Sequence, residues 1–249
     1  MTILSVNKRN SFFNLFLLII ILLIIIFINL TFIWRKSICV YETTKFNKKY
    51  IINTNKSNDS NLNQKDLTAA QAWASCGLKK PISAIPIYIH NKERDGYIEN
   101  NILYLKGSDS LNTFLYDLDF GRKKFINGYV VSGYLKYFQS ILSQIKKYSI
   151  YKIVGWSRGG CLGQLIALYY HTYHNKIIHV YTFGAPPIAS KKLSLYYNKI
   201  LGSTTYNLVY NFDLVYMFYK IIGYHSLGEP HFIQDSFNYS IFEHADYLR

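Results

Sequence analysis

Residues Lys152-Ile-Val-Gly155-Trp-Ser157-Arg-Gly159-Gly160 set a serine in a Gly-x-Ser-x-Gly frame, directly after an apolar strand-like run and directly before a helical pattern. A serine hydroxyl is a weak nucleophile. To attack a carbonyl it must stand clear of a sheet on a tight strand-to-helix turn, where an imidazole can take its proton. Gly155 and Gly159 leave room for such a turn, and Gly160 and Gly163 let the following helix pack closely. The same letters would also serve a glycine-rich loop in which Ser157 only caps a helix. In the folds that use this turn, the acid and then the histidine follow the serine along the chain. Asp213, just past the apolar run ending at Tyr210, is the best-placed acid, and His225, His231 and His244 follow it. Chain order alone does not choose among these three. His90, His171, His174 and His179 precede Asp213 and are poor candidates. Cys39, Cys76 and Cys161 show no metal-ligand spacing, and Cys161 reads as helix packing. No metal or organic cofactor is required.

The elements that would hold these residues follow from the hydrophobic pattern. Strand-like runs at Ile85–Ile89 and Tyr97–Leu105 read as joined through Asp95-Gly96. From Ile102 onward strands and helices alternate: Ile102–Leu105, helix Gly133–Lys147, strand Tyr151–Val154, helix Gly159–Tyr173, strand Ile177–Phe183, helix Lys191–Ile200 and strand Tyr206–Tyr210. Alternation of this kind predicts an α/β fold with a mostly parallel central sheet, its site beyond the carboxyl ends of the strands. Leu67–Cys76 reads as a short helix, and Leu111, Phe114, Leu115 and Leu118 form an amphipathic helical stripe that includes Asp117.

Ahead of this domain, residues 12–34 are almost uninterrupted Leu, Ile and Phe, long enough to span a bilayer. The run exceeds a signal-peptide core, so an uncleaved transmembrane anchor is expected after a short tail, residues 1–11. Residues 35–66, with a stretch rich in Asn, Lys and Ser, read as a linker, and residues 67–249 as the folded domain. The side of the membrane stays open. Arg35, Lys36, Lys45, Lys48 and Lys49 favour a cytoplasmic domain, whereas Asn55, Asn58 and Asn238 head triplets that would be glycosylation acceptors in a lumen. The formal net charge of +14 comes without a nucleic-acid motif, so an anionic lipid surface is the expected partner and nucleic acid is not.

Four segments together resemble the class 3 lipase family, the fungal-type triacylglycerol lipases. They are Leu105-Lys-Gly107-Ser108-Asp-Ser110, Val154-Gly-Trp-Ser-Arg-Gly-Gly160, Tyr181-Thr-Phe-Gly-Ala-Pro186 and Asp213-Leu-Val215, in the order and spacing of that family. The resemblance implies an α/β-hydrolase fold and the hydrolysis of carboxyl esters of acylglycerols through an acyl-enzyme. It implies Ser157 as nucleophile, Asp213 as acid and, from the terminal Glu243-His244-Ala-Asp-Tyr247 stretch, His244 as base, with His225 the alternative. It also implies that Ser108 and the backbone N–H of Arg158 form the oxyanion hole, and that the stripe after Ser108 is a lid. The chain departs from the pattern at Trp156, Arg158, Val131, Pro187 and Tyr216, where His, Leu, His, Arg and Pro are usual. Trp156 and Arg158 flank the nucleophile, which raises the expectation of an altered chain-length or headgroup preference, with Arg158 favouring phospholipid. A phospholipase or thioesterase on the same fold, and a membrane-tethered binding protein with an inactive site, are the alternative readings.

Overall fold

The computed structural model describes residues 85–89, 93–108, 116–211 and 213–233, all within the unit Ser57–Arg249. The expected anchor, the linker, Leu67–Cys76, Cys39, Cys76, most of the lid stripe and His244 lie outside these residues.

A seven-stranded sheet in the order β1-β2-β3-β6-β7-β8-β9 organises the domain. Its strands are β1 (Ile85–Ile89), β2 (Glu93–Glu99), β3 (Ile102–Leu105), β6 (Lys152–Trp156), β7 (His179–Phe183), β8 (Thr205–Tyr210) and β9 (Pro230–Ile233). From β3 to β9 all neighbours are parallel, and β1 and β2 add an antiparallel margin. A separate hairpin pairs β4 (Arg122–Phe125) with β5 (Gly128–Val131). The helices are α1 (Ser132–Ile145), α2 (Arg158–His174), α3 (Lys191–Leu201) and α4 (Leu214–Ile221). Each element boundary expected from the sequence falls within a few residues of the observed one, from α1 through β8.

The burial pattern explains why these segments fold as they do. Strand β6 sits mid-sheet and is buried along its whole length, as a parallel strand covered on both faces must be. Helix α2 packs across β3, β6 and β7. Its residues from Arg158 to Leu168 are all buried, so it shows no polar stripe over its first three turns. Helix α1 is amphipathic instead, burying Tyr134, Tyr137, Phe138, Ile141 and Ile145 at helical spacing. These residues join the strand side chains in one core.

Two parts of the sequence reading need correction. Asp95-Gly96 is not a turn: both residues lie inside β2, and the turn joining β2 to β3 is Asn100-Asn101, with φ of 49° and 61°. Two consecutive positive φ values match the right-handed twist of the hairpin strands, and asparagine tolerates them. Gly96 packs against the neighbouring strand so closely that a Cβ there would lie 2.2 Å from the Tyr104 carbonyl oxygen, which accounts for a glycine within a strand. The second correction is one of omission. The β4–β5 hairpin, α4 and β9 lie where no element is expected from the sequence, and the hairpin turns through Ile126-Asn127, with Gly128 already in β5 and basic Arg122, Lys123 and Lys124 on the strand before it.

Candidate active site

Ser157 occupies the sharp connection between β6 and α2 with φ 51° and ψ −121°, a conformation that side chains rarely adopt. Holding a non-glycine residue there costs about 1–3 kcal/mol, which the surroundings must offset. The Ser157 N–H donates to the Phe183 carbonyl on β7 at 2.7 Å, and its own carbonyl accepts from the N–H groups of Gly160 and Cys161. The glycines make the approach possible. A Cβ on Gly155 would stand 2.4 Å from the Gly159 backbone, and one on Gly159 would stand 2.3 Å from the Leu105 carbonyl oxygen. Gly160 and Gly163 bring α2 down onto Thr182, Ala185 and Ile153, as expected of them. Cys161 is fully buried in this packing, and burial pushes its thiol well above the ordinary range, so it is an inert core residue.

The Gly107-Ser108 turn lies directly against the nucleophile. A Cβ on Gly107 would fall 2.3 Å from the Trp156 ring and 3.2 Å from the Cβ of Ser157, so only glycine lets this turn close on the site. The Ser108 hydroxyl donates to the Asp117 carboxylate. Asp117 is thereby attached to the Ser108 turn, and its backbone carbonyl accepts from the Tyr219 hydroxyl at 2.7 Å. Leu118 is the one member of the apolar stripe among the described residues.

Asp213 is fully buried and caps α4, its carboxylate accepting from the Tyr216 N–H at 2.9 Å. It stands three residues past the carboxyl end of β8, two strands across from β6.

His231 lies on β9, and the register Trp156 to Phe183 to Leu208 to His231 puts its backbone three strands away. That separation is about 14 Å at the usual strand spacing. Its ring is exposed and stacks on Tyr206. His225 is exposed as well, and its backbone exchanges both hydrogen bonds with Ala189. The chain then runs to Gly228, which packs on Thr205 at the amino end of β8, the edge opposite Ser157. His171 and His174 lie on the last turn of α2.

The expectation that Arg158 meets a lipid headgroup is overturned. Its side chain is completely buried, ion-paired with Asp95, stacked 4.6 Å over the Tyr137 ring, and donating to the Gly107 carbonyl at 3.3 Å. Asp95, read from the sequence as part of a turn, is in fact its buried counter-ion. Trp156 also points into the interior and is buried.

Comparison with known proteins agrees with this arrangement. The model of the lipase (class 3) family matches residues 89–221, more than half of the chain. No curated protein sequence matches at a significant level. Among solved structures, the lipase from Rhizopus microsporus var. chinensis is 18% identical with a TM-score of 0.52, covering 68% of this chain and 74% of that one. Lip2 lipase from Yarrowia lipolytica is 14% identical with a TM-score of 0.55, covering 73% and 83%. Lipase II from Rhizopus niveus is 18% identical with a TM-score of 0.52, covering 67% and 78%. At such identities these likenesses establish the α/β lipase fold. Together with the family match and the strained serine turn, they identify the chain as a lipase-like carboxylic ester hydrolase belonging to the class 3 lipase family.

Proposed function

We propose that the protein is a membrane-anchored serine lipase that hydrolyses acylglycerol esters through Ser157, Asp213 and His244. The observation that carries this reading is the Ser157 conformation, φ 51° and ψ −121°, at the carboxyl end of a buried central strand, with buried Asp213 following the strand two places across. In the reaction His244 removes the Ser157 proton as Oγ attacks the ester carbonyl. The N–H groups of Ser108 and Arg158 receive the developing oxyanion. Collapse expels the alcohol, which takes the proton from His244, and water then releases the fatty acid by the same steps. His244 is favoured because the Glu243-His244-Ala-Asp-Tyr247 stretch resembles the family's terminal segment, whereas the His231 backbone stands three strands across from Trp156.

A lipid surface is the proposed partner of α4. Leu214, Met217, Phe218 and Ile221 lie exposed at helical spacing, and Ile222 extends the row. Beside them Arg122 reaches over the Tyr224 ring, and Lys123, Lys124 and Lys220 are exposed. An apolar face with a basic border suits an anionic bilayer.

The test uses full-length protein with wild type, Ser157→Ala, Asp213→Ala, His225→Ala and His244→Ala. Ester turnover and fluorophosphonate labelling should require Ser157, and turnover should require His244 but not His225. Full activity in His244→Ala removes the base assignment. Ile221→Asp should weaken binding to phosphatidylserine vesicles without slowing cleavage of a soluble ester. Unchanged vesicle binding, or a lipid-free dimer broken by the same substitution, refutes the lipid surface.

A further inference from the structure

The Gly107 carbonyl and the Ser108 N–H belong to one peptide group, and every described peptide bond is trans. In a trans peptide these two groups point in opposite directions, so fixing the carbonyl also fixes where the N–H aims. The Arg158 guanidinium holds that carbonyl at 3.3 Å. The guanidinium is itself held in place: it pairs with buried Asp95 on β2 and lies 4.6 Å over the buried Tyr137 ring on α1. Asp95 is tied to the same turn a second time, because its backbone carbonyl accepts from the Lys106 N–H at 3.0 Å.

From this closed set of contacts we infer that the Arg158 side chain is a positioning residue for the oxyanion hole. It locks the 107–108 peptide so that the Ser108 N–H faces the reacting carbonyl, while the Arg158 backbone N–H supplies the second donor. One residue thus supplies one donor and orients the other. The inference rests on Ser157 and the two N–H groups acting as proposed above.

A buried arginine is a costly means of packing a helix end, since two charges have lost their hydration, and an apolar pair of equal volume is often as stable. One guanidinium nitrogen, Nη2, donates to both the Asp95 carboxylate and the Gly107 carbonyl, with its two hydrogens fixed in the guanidinium plane, whereas a lysine ammonium is a compact, freely rotating point donor. A peptide free to rotate would present its carbonyl, rather than its N–H, to the oxyanion.

The experiment compares wild type, Arg158→Lys and the double variant Asp95→Leu/Arg158→Met, all as full-length protein. Three quantities are read: the melting temperature, kcat and KM on a soluble short-chain ester, and affinity for butylboronic acid, whose tetrahedral adduct on Ser157 places an oxygen in the oxyanion hole. Arg158→Lys keeps the charge opposite Asp95, and the double variant buries no charge, so melting should stay near wild type. Both should lose about 10²-fold in kcat, the scale of a small misplacement of a catalytic group. Boronate affinity should fall by the same factor, with KM unchanged. A folded variant with wild-type kcat and boronate affinity overturns the inference, as does loss of kcat with full boronate affinity. If the double variant does not fold, Arg158→Lys decides alone. Absence of Ser157-dependent hydrolysis in the wild type would instead defeat the reading on which the inference rests.

Discussion

Gly107→Ala is the sharpest single-atom test of how the site is assembled. The new Cβ would stand 2.3 and 2.4 Å from two carbons of the Trp156 ring and 3.2 Å from the Ser157 Cβ. Ordinary contact begins near 3.4 Å, so turn and indole must part by about 1 Å, a displacement that can cost on the order of 10²-fold in rate. Gly107 does not lie in the left-handed region, so the penalty is steric and not conformational. Overpacking of a well-filled interior typically costs about 1–3 kcal/mol. The assay pairs kcat on a soluble ester with melting and with tryptophan emission, since Trp156 is the group struck. The expected result is a folded protein with shifted emission, kcat lower by about 10²-fold and KM little changed. If kcat stays within about threefold of wild type while the emission shifts, the indole has given way alone. The turn would then not be what positions the oxyanion donors, and the reasoning fails.

Three further outcomes are expected. Asp213→Asn should retain the cap on α4, and with it the melting temperature, yet lose about 10⁴-fold in kcat, because an amide does not stabilise the imidazolium; activity near wild type would leave Asp213 only a helix cap. Thr182→Val should destabilise the fold by about 1–3 kcal/mol, because its hydroxyl donates to Asn207 at 2.7 Å inside the sheet and the buried amide oxygen would lose that donor; denaturant unfolding measures it, and a neutral result refutes it. The Lys136 ammonium, bonding the Asp119 carboxylate at 2.8 Å, holds that carboxyl below its usual range. A depressed carboxylate stabilises the fold above its unfolded value, and the effect disappears as pH falls through the folded one. The stability difference between wild type and Lys136→Met should therefore vanish toward low pH; a gap that persists in strong acid has another source.

The elements nearest the serine were legible because their signals are local. The Gly-x-Ser-x-Gly frame, an apolar run before it and a helical pattern after it are neighbours in the chain, and the turn folds as these letters require. The position of Asp213 just beyond an apolar strand was legible for the same reason. Asp95 was not. Asp-Gly is a common turn pair, and nothing near it in the chain reveals that its carboxylate meets an arginine 63 residues away. Arg158 was misjudged by the same omission, since a charge beside a nucleophile looks available to substrate until its buried partner is known. His225 and His231 illustrate a third limit. Both stand in the right order along the chain, but His231 falls on β9, three strands across from β6, and order carries no information about how far apart in a sheet two strands lie.

The conformation of Ser157 also bears on how such a chain can lose its activity over time. At φ 51° any residue with a side chain is strained, whereas glycine is at ease there. The substitution that removes the nucleophile as Ser157→Gly would leave the fold more secure than before, so drift toward a silent scaffold meets no barrier from stability. Only selection for the reaction opposes it. For an inactive control, Ser157→Ala, which keeps the strain, therefore reproduces the native backbone more faithfully than glycine.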